Sequence, residues 1–300
     1  MKPGCPRLKC ASSQRSSPDS GTVVSNGSYF RACDSRRVRR YLCTRCGKHF
    51  SQSTGTPRYR QKRRRIVEPL YRLMASTVSQ RRAAKLLNVD KKTVVRYFRF
   101  IAGECLKREK VRLAGYRASR LRQVQFDDLE TMEHTKLKPL SVALAVDPAT
   151  RKILGVQVSR MPARGLLAEK SVRKYGKRRD MRKRGWNRLL QSLRSMVSAD
   201  AVFTSDQNPH YPIALKKYFP QSIHLTTRGG RGAITGQGEL KKLVFDPLFA
   251  LNHTCAMLRA NLNRLLRRTW CTTKTIKGLQ DHLAIYVDYH NRFLTELSKV

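Results

Sequence analysis

Two aspartates stand at the ends of apolar, strand-like runs: Asp127 in Val124-Gln125-Phe126-Asp127-Asp128 and Asp206 in Ala201-Val202-Phe203-Thr204-Ser205-Asp206. The chain around them carries a formal charge of +43. A protein this basic attracts a polyanion, and nucleic acid is the obvious one. Carboxylates gathered in such a protein would repel that partner unless they hold a divalent cation. Magnesium or manganese held by carboxylates beside a phosphodiester is the setting for metal-assisted strand cleavage or transfer. Two metals roughly 4 Å apart then clamp the attacking and leaving oxygens of an in-line displacement. Asp128 alternates to the opposite face of its strand and is expected to meet solvent. The competing reading of Asp206 is an Asx-turn ahead of Pro209.

A second chemistry is written in the cysteines. Cys43-Thr44-Arg45-Cys46-Gly47 is a C-x2-C knuckle, and Cys5 and Cys10 form a looser C-x4-C pair. Four thiolates on two such pairs suit one tetrahedral zinc. Asn26-Gly27 reads as a hairpin turn and Arg40-Tyr41-Leu42 as a strand leading into the knuckle. Together these describe a zinc ribbon over residues 1–57, with Cys33 as a possible substitute ligand. So short and polar a segment would draw its folding free energy from the metal. His49 is expected to pack rather than ligate, and Cys105, Cys255 and Cys271 to be core thiols.

The elements that must position these groups follow from periodicity and charge. Arg58 to Arg65 is a basic linker, read as an exposed arm in which Arg63, Arg64 and Arg65 meet phosphates. Ile66 to Ser76 has helical spacing. Ser79 can cap a second helix with Ala83, Ala84 and Leu87 inward, Asn88 suits a left-handed turn, and Asp90 can cap a third helix with Val94, Phe98 and Ile101 inward. This predicts a helix-turn-helix within residues 58–102, whose second helix offers Lys91, Lys92, Thr93 and Arg96 to the DNA major groove. After a helical linker over 103–120, the period shortens. Strands are expected over Gln123–Asp128, Ser141–Val146 and Ile153–Arg160. A basic insert of about 161–190 follows, then a helix near Trp186–Val197, the strand ending at Asp206, a helix at Tyr211–Tyr218 and the strand Ser222–Thr227. Three antiparallel strands followed by alternating helix and strand predict an α/β (mixed) fold, a mixed sheet of RNase H-like type over 121–300 flanked by helices.

Composition bounds the rest. Residues 1–126 hold 32 Lys and Arg against 6 Asp and Glu, and the remainder 31 against 14, so both parts are expected to touch phosphate. No apolar run approaches the roughly 18 residues of a membrane span. The start lacks the apolar core of a signal peptide, which points to an intracellular protein with reduced thiols.

The order of cysteine ribbon, helix-turn-helix, Phe126-Asp127-Asp128-Leu129, Thr204-Ser205-Asp206, then Met257-Leu258-Arg259 through Leu265-Leu266-Arg267-Arg268-Thr269 resembles the DDE transposases of small bacterial insertion sequences, the InsA/InsB kind, in one reading frame. The resemblance covers nearly the whole chain and is most specific over Leu258 to Cys271. It implies cleavage of double-stranded DNA at element ends and joining to target DNA by an enzyme that is at least a homodimer, with structural zinc and catalytic Mg2+ or Mn2+. The third acid of the family is a glutamate about six residues before the Leu-Arg pair, which here falls on Asn252, beside His253. Asp246 and Glu239 are alternatives, though Asp246-Pro247 also reads as a helix cap. On a predicted helix from Leu248 to Arg268, Leu251, Cys255, Leu258, Leu262 and Leu265 face the sheet. Asn252, Ala256 and Arg259 lie on an adjoining stripe, from which Arg259 could reach a DNA phosphate. The departure at Asn252 keeps a second expectation open, a transposase-derived DNA-binding protein or repressor without catalysis. An RNA-binding zinc-ribbon protein is the third, and it lacks an aromatic stacking platform.

Overall fold

The computed structural model describes residues 3–13, 22–227, 246–266 and 270–295. The chain is mixed α/β, with a three-stranded and a five-stranded sheet. It divides into two compact units, Met1–Pro69 and Leu70–Val300.

In the first unit β1 (Val23–Arg31), β2 (Arg36–Cys43) and β3 (His49–Ser51) form an antiparallel meander. Asn26-Gly27 is not the hairpin turn that the dipeptide suggests. It lies inside β1, where the register slips between Ser25 and Ser28 and Gly27 takes φ +73°. A β-bulge needs that left-handed residue as much as a turn does. The chain reverses instead at residues 32–35. There Arg31 donates to both Asp34 carboxylate oxygens at 2.7 and 2.6 Å, and Ser35 adopts φ +52°. The expected basic arm is also folded: Arg65 donates to Ser35 Oγ at 2.7 Å and Arg64 Nε to the Gln61 carbonyl at 3.3 Å. Among the described residues the buried apolar ones are few: Val23, Tyr41 and Phe50 cluster around Cys5, Cys10 and Cys43, and Val38 and Val67 are buried apart from them.

The second unit is built on a sheet ordered β6-β5-β4-β7-β8. Its strands are β4 (Leu121–Glu133), β5 (Thr135–Val146), β6 (Ile153–Arg160), β7 (Val197–Asp206) and β8 (Ile223–Thr227). β4, β5 and β6 pair antiparallel, whereas β4–β7 and β7–β8 are parallel. β5 shows why the layers form. Leu140, Val142, Leu144 and Val146 enter one core with Leu129, Leu251, Leu258 and Leu283. Ala143 and Ala145, pointing the other way, enter a second core with Phe126, Trp186, Leu189 and Phe203. A strand covered on both faces needs a continuous apolar run rather than alternation. Helices α5 (Arg182–Leu193) and α6 (Tyr211–Tyr218) therefore cover one face. Helices α7 (Phe249–Asn261) and α8 (Ile276–Tyr289) cover the other, and α4 (Ala168–Tyr175) lies in the basic insert.

Preceding the sheet are α1 (Val67–Met74), α2 (Gln80–Leu86) and α3 (Lys91–Ala114). Ser79 Oγ accepts from Arg82 N, Asp90 Oδ1 accepts from Lys92 N at 2.6 Å, and Asn88 takes φ +48°. Val94, Phe98 and Ile101 are buried as their spacing requires. α3 runs for 24 residues, from the helix-turn-helix through most of the stretch expected as a helical linker. Its second half is welded to α8. The fully buried Asp288 accepts from Arg108 Nη2 at 2.6 Å, Arg108 Nε at 3.1 Å and Tyr71 Oη at 2.8 Å. Asn291 donates to Glu109 at 2.9 Å. Burial alone would raise the Asp288 carboxyl, but the Arg108 and Tyr71 hydrogen bonds more than offset it and hold the group below its usual range. Removing this acceptor strands the Arg108 guanidinium and the Tyr71 phenol. Asp288→Ala is therefore expected to cost about 3 kcal/mol in urea unfolding, and a loss below about 0.5 kcal/mol would show that the weld is not structural.

Candidate functional site

The cysteine quartet assembles as its spacing suggests. Cys43 ends β2, Cys46 lies in the turn that follows, and Gly47 N donates back to Cys43 O at 2.9 Å. On the other side Cys5 N donates to Ser12 O and Cys10 N to Arg7 O, closing a small loop. The four Sγ atoms lie within 4.8 Å of one another, with Cys5–Cys46 at 3.6 Å and Cys10–Cys43 at 3.8 Å. A tetrahedron with metal–sulfur bonds of about 2.3 Å has edges of about 3.8 Å, so the quartet can hold a metal such as zinc. Burial opposes the Cys43 thiolate, but backbone and side-chain hydrogen bonds from Cys46 outweigh it and bring the group down to about 6. Burial first of all pushes Cys5 up to about 12. Four thiols competing for one negative charge behave this way, and a cation would let all four ionise. Cys33 sits apart in the β1–β2 turn, its sulfur 4.0 Å from both Asp34 Oδ1 and the Gln61 carbonyl. It does not substitute. His49 does not pack as expected: it is exposed, with Nδ1 2.9 Å from Asn26 Nδ2.

The aspartates are placed by strand register. β4 pairs β7 in parallel with Gln125 opposite Thr204. Asp127 and Asp206 each lie two residues further along, so adjacent strands about 4.8 Å apart carry them side by side on the same parity. Asp127 Oδ1 accepts from Asp128 N at 2.7 Å and Tyr211 Oη at 3.0 Å. Burial, then the charge of Asp206, raise its carboxyl to about 6 even though these two donors stabilise the ionised form. Asp206 Oδ1 accepts from Asn208 N at 3.1 Å, so the Asx-turn is present as well, while the Asp206 charge still acts on Asp127. Asp128 is not solvent-facing. Its oxygens accept from Ser141 Oγ at 2.7 Å and Trp186 Nε1 at 3.1 Å, and burial raises its carboxyl too.

The third position differs more. Gln125 clamps the start of α7: its Oε1 accepts from Leu251 N at 3.0 Å and its Nε2 donates to Pro247 O at 2.8 Å. Four residues of helix advance about 6 Å and two of strand nearly 7 Å. With Leu251 beside Gln125, the residue beside Asp127 is therefore Cys255. The thiol of Cys255 is accordingly pushed up to about 12, by burial and then by the Asp127 charge, with Arg259 acting the other way. Asn252 is exposed and donates to Asp246 at 2.8 Å; Asp246 also accepts from Leu248 N at 2.9 Å, but it is not the expected cap, because α7 starts two residues later with Leu248 at the cap position and no side-chain cap bond. The His253 ring lies tilted against that of Phe249 with centroids 5.8 Å apart, and burial, then the charge of Arg151, disfavours its protonation. Glu239 lies outside the described residues, as do Arg267, Arg268 and Thr269. The helix stops at Asn261 because Leu262 is extended at φ −115°, ψ 103°; even so Leu251, Leu258, Leu262 and Leu265 pack into the core with Cys255 against them. Cys105 is buried as expected, but Cys271 is exposed.

On α3, Lys91, Lys92 and Arg96 are exposed and Thr93 half-buried. In the first unit Arg63 and Arg65 are exposed and Arg64 half-buried. Gln125, Tyr211 and Trp186 were not singled out by the sequence. Gln125 had a signal, being a polar residue two before Asp127 and therefore on its face. No described helix is long and apolar enough to cross a membrane. No protein-family model matches the chain, and no curated protein matches it.

Two outcomes are expected. Wild type and Cys33→Ser should retain one equivalent of zinc through dialysis, measured by elemental analysis, and Cys43→Ser should lose it. Asp127→Asn removes a carboxyl whose raised value makes ionisation destabilising. Its cost is absent below the unfolded value near 4 and grows as pH rises through about 6. The variant should therefore melt higher than wild type at pH 8, by on the order of 2 kcal/mol, and not at pH 4. Equal melting at both pH values would contradict the burial of that charge.

Proposed function

We propose that the chain is a DDE-type transposase that cuts DNA at the ends of a mobile element and joins the freed 3′ end to target DNA. The observation that carries this reading is the β4–β7 register, which sets Asp127 beside Asp206 in a chain of net charge +43. The strand order, three antiparallel followed by two parallel, agrees with an RNase H-like catalytic domain. The exposed cations at the start of α3, behind a two-helix turn, agree with major-groove reading of terminal repeats.

Asp127 and Asp206 are the groups that would hold Mg2+ or Mn2+. When bound, such ions activate the attacking oxygen and stabilise the leaving one. The carboxylate oxygens fit a hard cation that keeps much of its water. Tyr211 and the Asp128 amide fix the Asp127 carboxylate in one orientation before any cation arrives. Ser141 and Trp186 hold Asp128 away as a spectator. Lys91, Lys92, Thr93 and Arg96 read the repeat, Arg63 to Arg65 add phosphate contacts in the first unit, and the cysteine quartet carries structural zinc. Two element ends must be held together, so the working form is at least a dimer.

A second reading, a DNA-binding protein or repressor derived from such an enzyme, is favoured by one observation. The α7 residue facing Asp127 is the thiol Cys255, and Asn252 is engaged with Asp246. The experiment is an oligonucleotide carrying the element's terminal repeats, incubated with Mg2+ or Mn2+. Wild type should nick and join it, and Asp127→Ala should lose at least about a hundredfold in rate. Equal activity would remove Asp127 from the site. Activity appearing only in Asn252→Glu or Cys255→Asp would make the natural protein a binder.

A further inference from the structure

A groove of about 740 Å³ wraps the β6 edge of the five-stranded sheet. One wall is the end of β6, and the other is the segment after α4 together with α5. It holds seven Lys and Arg side chains and one carboxylate. That carboxylate, Glu133, is matched with Arg178 at 3.8 Å, and Arg178 also donates to the carbonyls of Met161 and Pro139. Lys138 sits over the Tyr175 ring at 4.6 Å. The other five, Arg160, Lys177, Arg179, Arg184 and Arg188, are exposed, and among the described residues none of them forms an ion pair.

The groove is built rather than incidental. Gly185 lets α5 approach β6 so closely that a Cβ there would stand 2.1 Å from Ser159 Oγ. That contact sets Arg184 and Arg188, one helical turn apart on a single face, opposite Arg160 at the strand end. Cations at an edge strand do guard it against pairing with another strand, but one or two suffice for that. Five uncompensated charges facing one concavity repel one another until a polyanion enters. The groove also lies near the carboxylates. Asp127 pairs with Leu144, which pairs with Val156, the residue before the groove's first strand residue. Two strand spacings make that about 10 Å.

We propose that this groove binds a second DNA duplex, distinct from the one that α3 reads. Its cations meet phosphates without reading bases, so it accepts duplexes of any sequence. The role rests on the function proposed above: of the two DNAs such an enzyme handles, the target is the one needing no sequence. Binding itself does not depend on catalysis.

The test uses the full chain in two ways. Amine-reactive footprinting of wild type, with and without a random-sequence duplex and without divalent metal, should show Lys177 and Lys138 protected. Anisotropy titrations across a salt series should then compare wild type with Lys177→Glu/Arg179→Glu/Arg184→Glu/Arg188→Glu. The variant should bind the random duplex at least about tenfold more weakly, with a slope of log K against log salt shallower by about 3.6, since each of four lost phosphate contacts contributes about 0.9. It should keep 3′-end nicking of a repeat substrate and lose joining to target. An unchanged slope together with an unprotected Lys177 overturns the proposal while leaving the carboxylate site standing. Protection by an RNA hairpin but not by the duplex overturns it as well. Failure of wild type to bind any duplex would bring down the proposed function with it.

Discussion

The parallel pairing of β4 with β7 is the constraint on which the rest of the second unit depends. It sets two carboxylates at neighbouring positions with like charge, under partial burial. A fold accepts such a pair only if other interactions hold the strands together, because repulsion at that spacing works against the pairing itself. β5 supplies the means. By presenting leucine and valine to one face and alanine to the other, it ties both helical layers to the strand that carries Asp127. The carboxylates are tolerated because the sheet beneath them is over-determined.

The same logic explains the polar contacts near the site. Tyr211 and the Asp128 amide donate to Asp127, Ser141 and Trp186 donate to Asp128, and Gln125 uses both ends of its amide on α7. Each satisfies a group that burial would otherwise penalise. Each also removes a degree of freedom from the neighbourhood of the aspartates. Arg108, Tyr71 and Asp288 do the equivalent for α3, so the helix that offers Lys91 and Arg96 at its start is anchored to α8 further along. The start of α3 and the sheet that carries the aspartates are thereby held at a fixed separation.

Much of this was legible in the sequence where one rule governed locally. The caps Ser79 and Asp90, the left-handed Asn88, the strand Ile153–Arg160 and the helix Tyr211–Tyr218 follow from short-range patterns and appear as read. What misled were residues that two structures can use equally well. Gly27 serves a bulge as readily as a turn, and the Arg58–Arg65 run, polar enough for a free arm, finds hydrogen-bond partners at Ser35 and Gln61. Asp128 looked solvent-facing by alternation alone, because its partner Trp186 lies 58 residues away. That α3 is tied to α8 was not legible, because the partners of Arg108 and Glu109 lie on α8 and beyond it, 180 residues or more distant in sequence.

The third ligand position shows how a one-turn question escapes sequence. On α7, Asn252 and Cys255 differ by three residues, and periodicity alone places both near the sheet side of the helix. Which of them meets Asp127 depends on where the helix starts along β4, and Gln125 sets that by gripping Leu251 N and Pro247 O. Sliding α7 by one residue would move its contact by about 1.5 Å and turn it by about 100°, enough to bring a different side chain round. The amide two residues before Asp127 thus decides the chemistry available beside it. Replacing Gln125 would be felt first as a changed partner for that carboxylate, before any change in the strands.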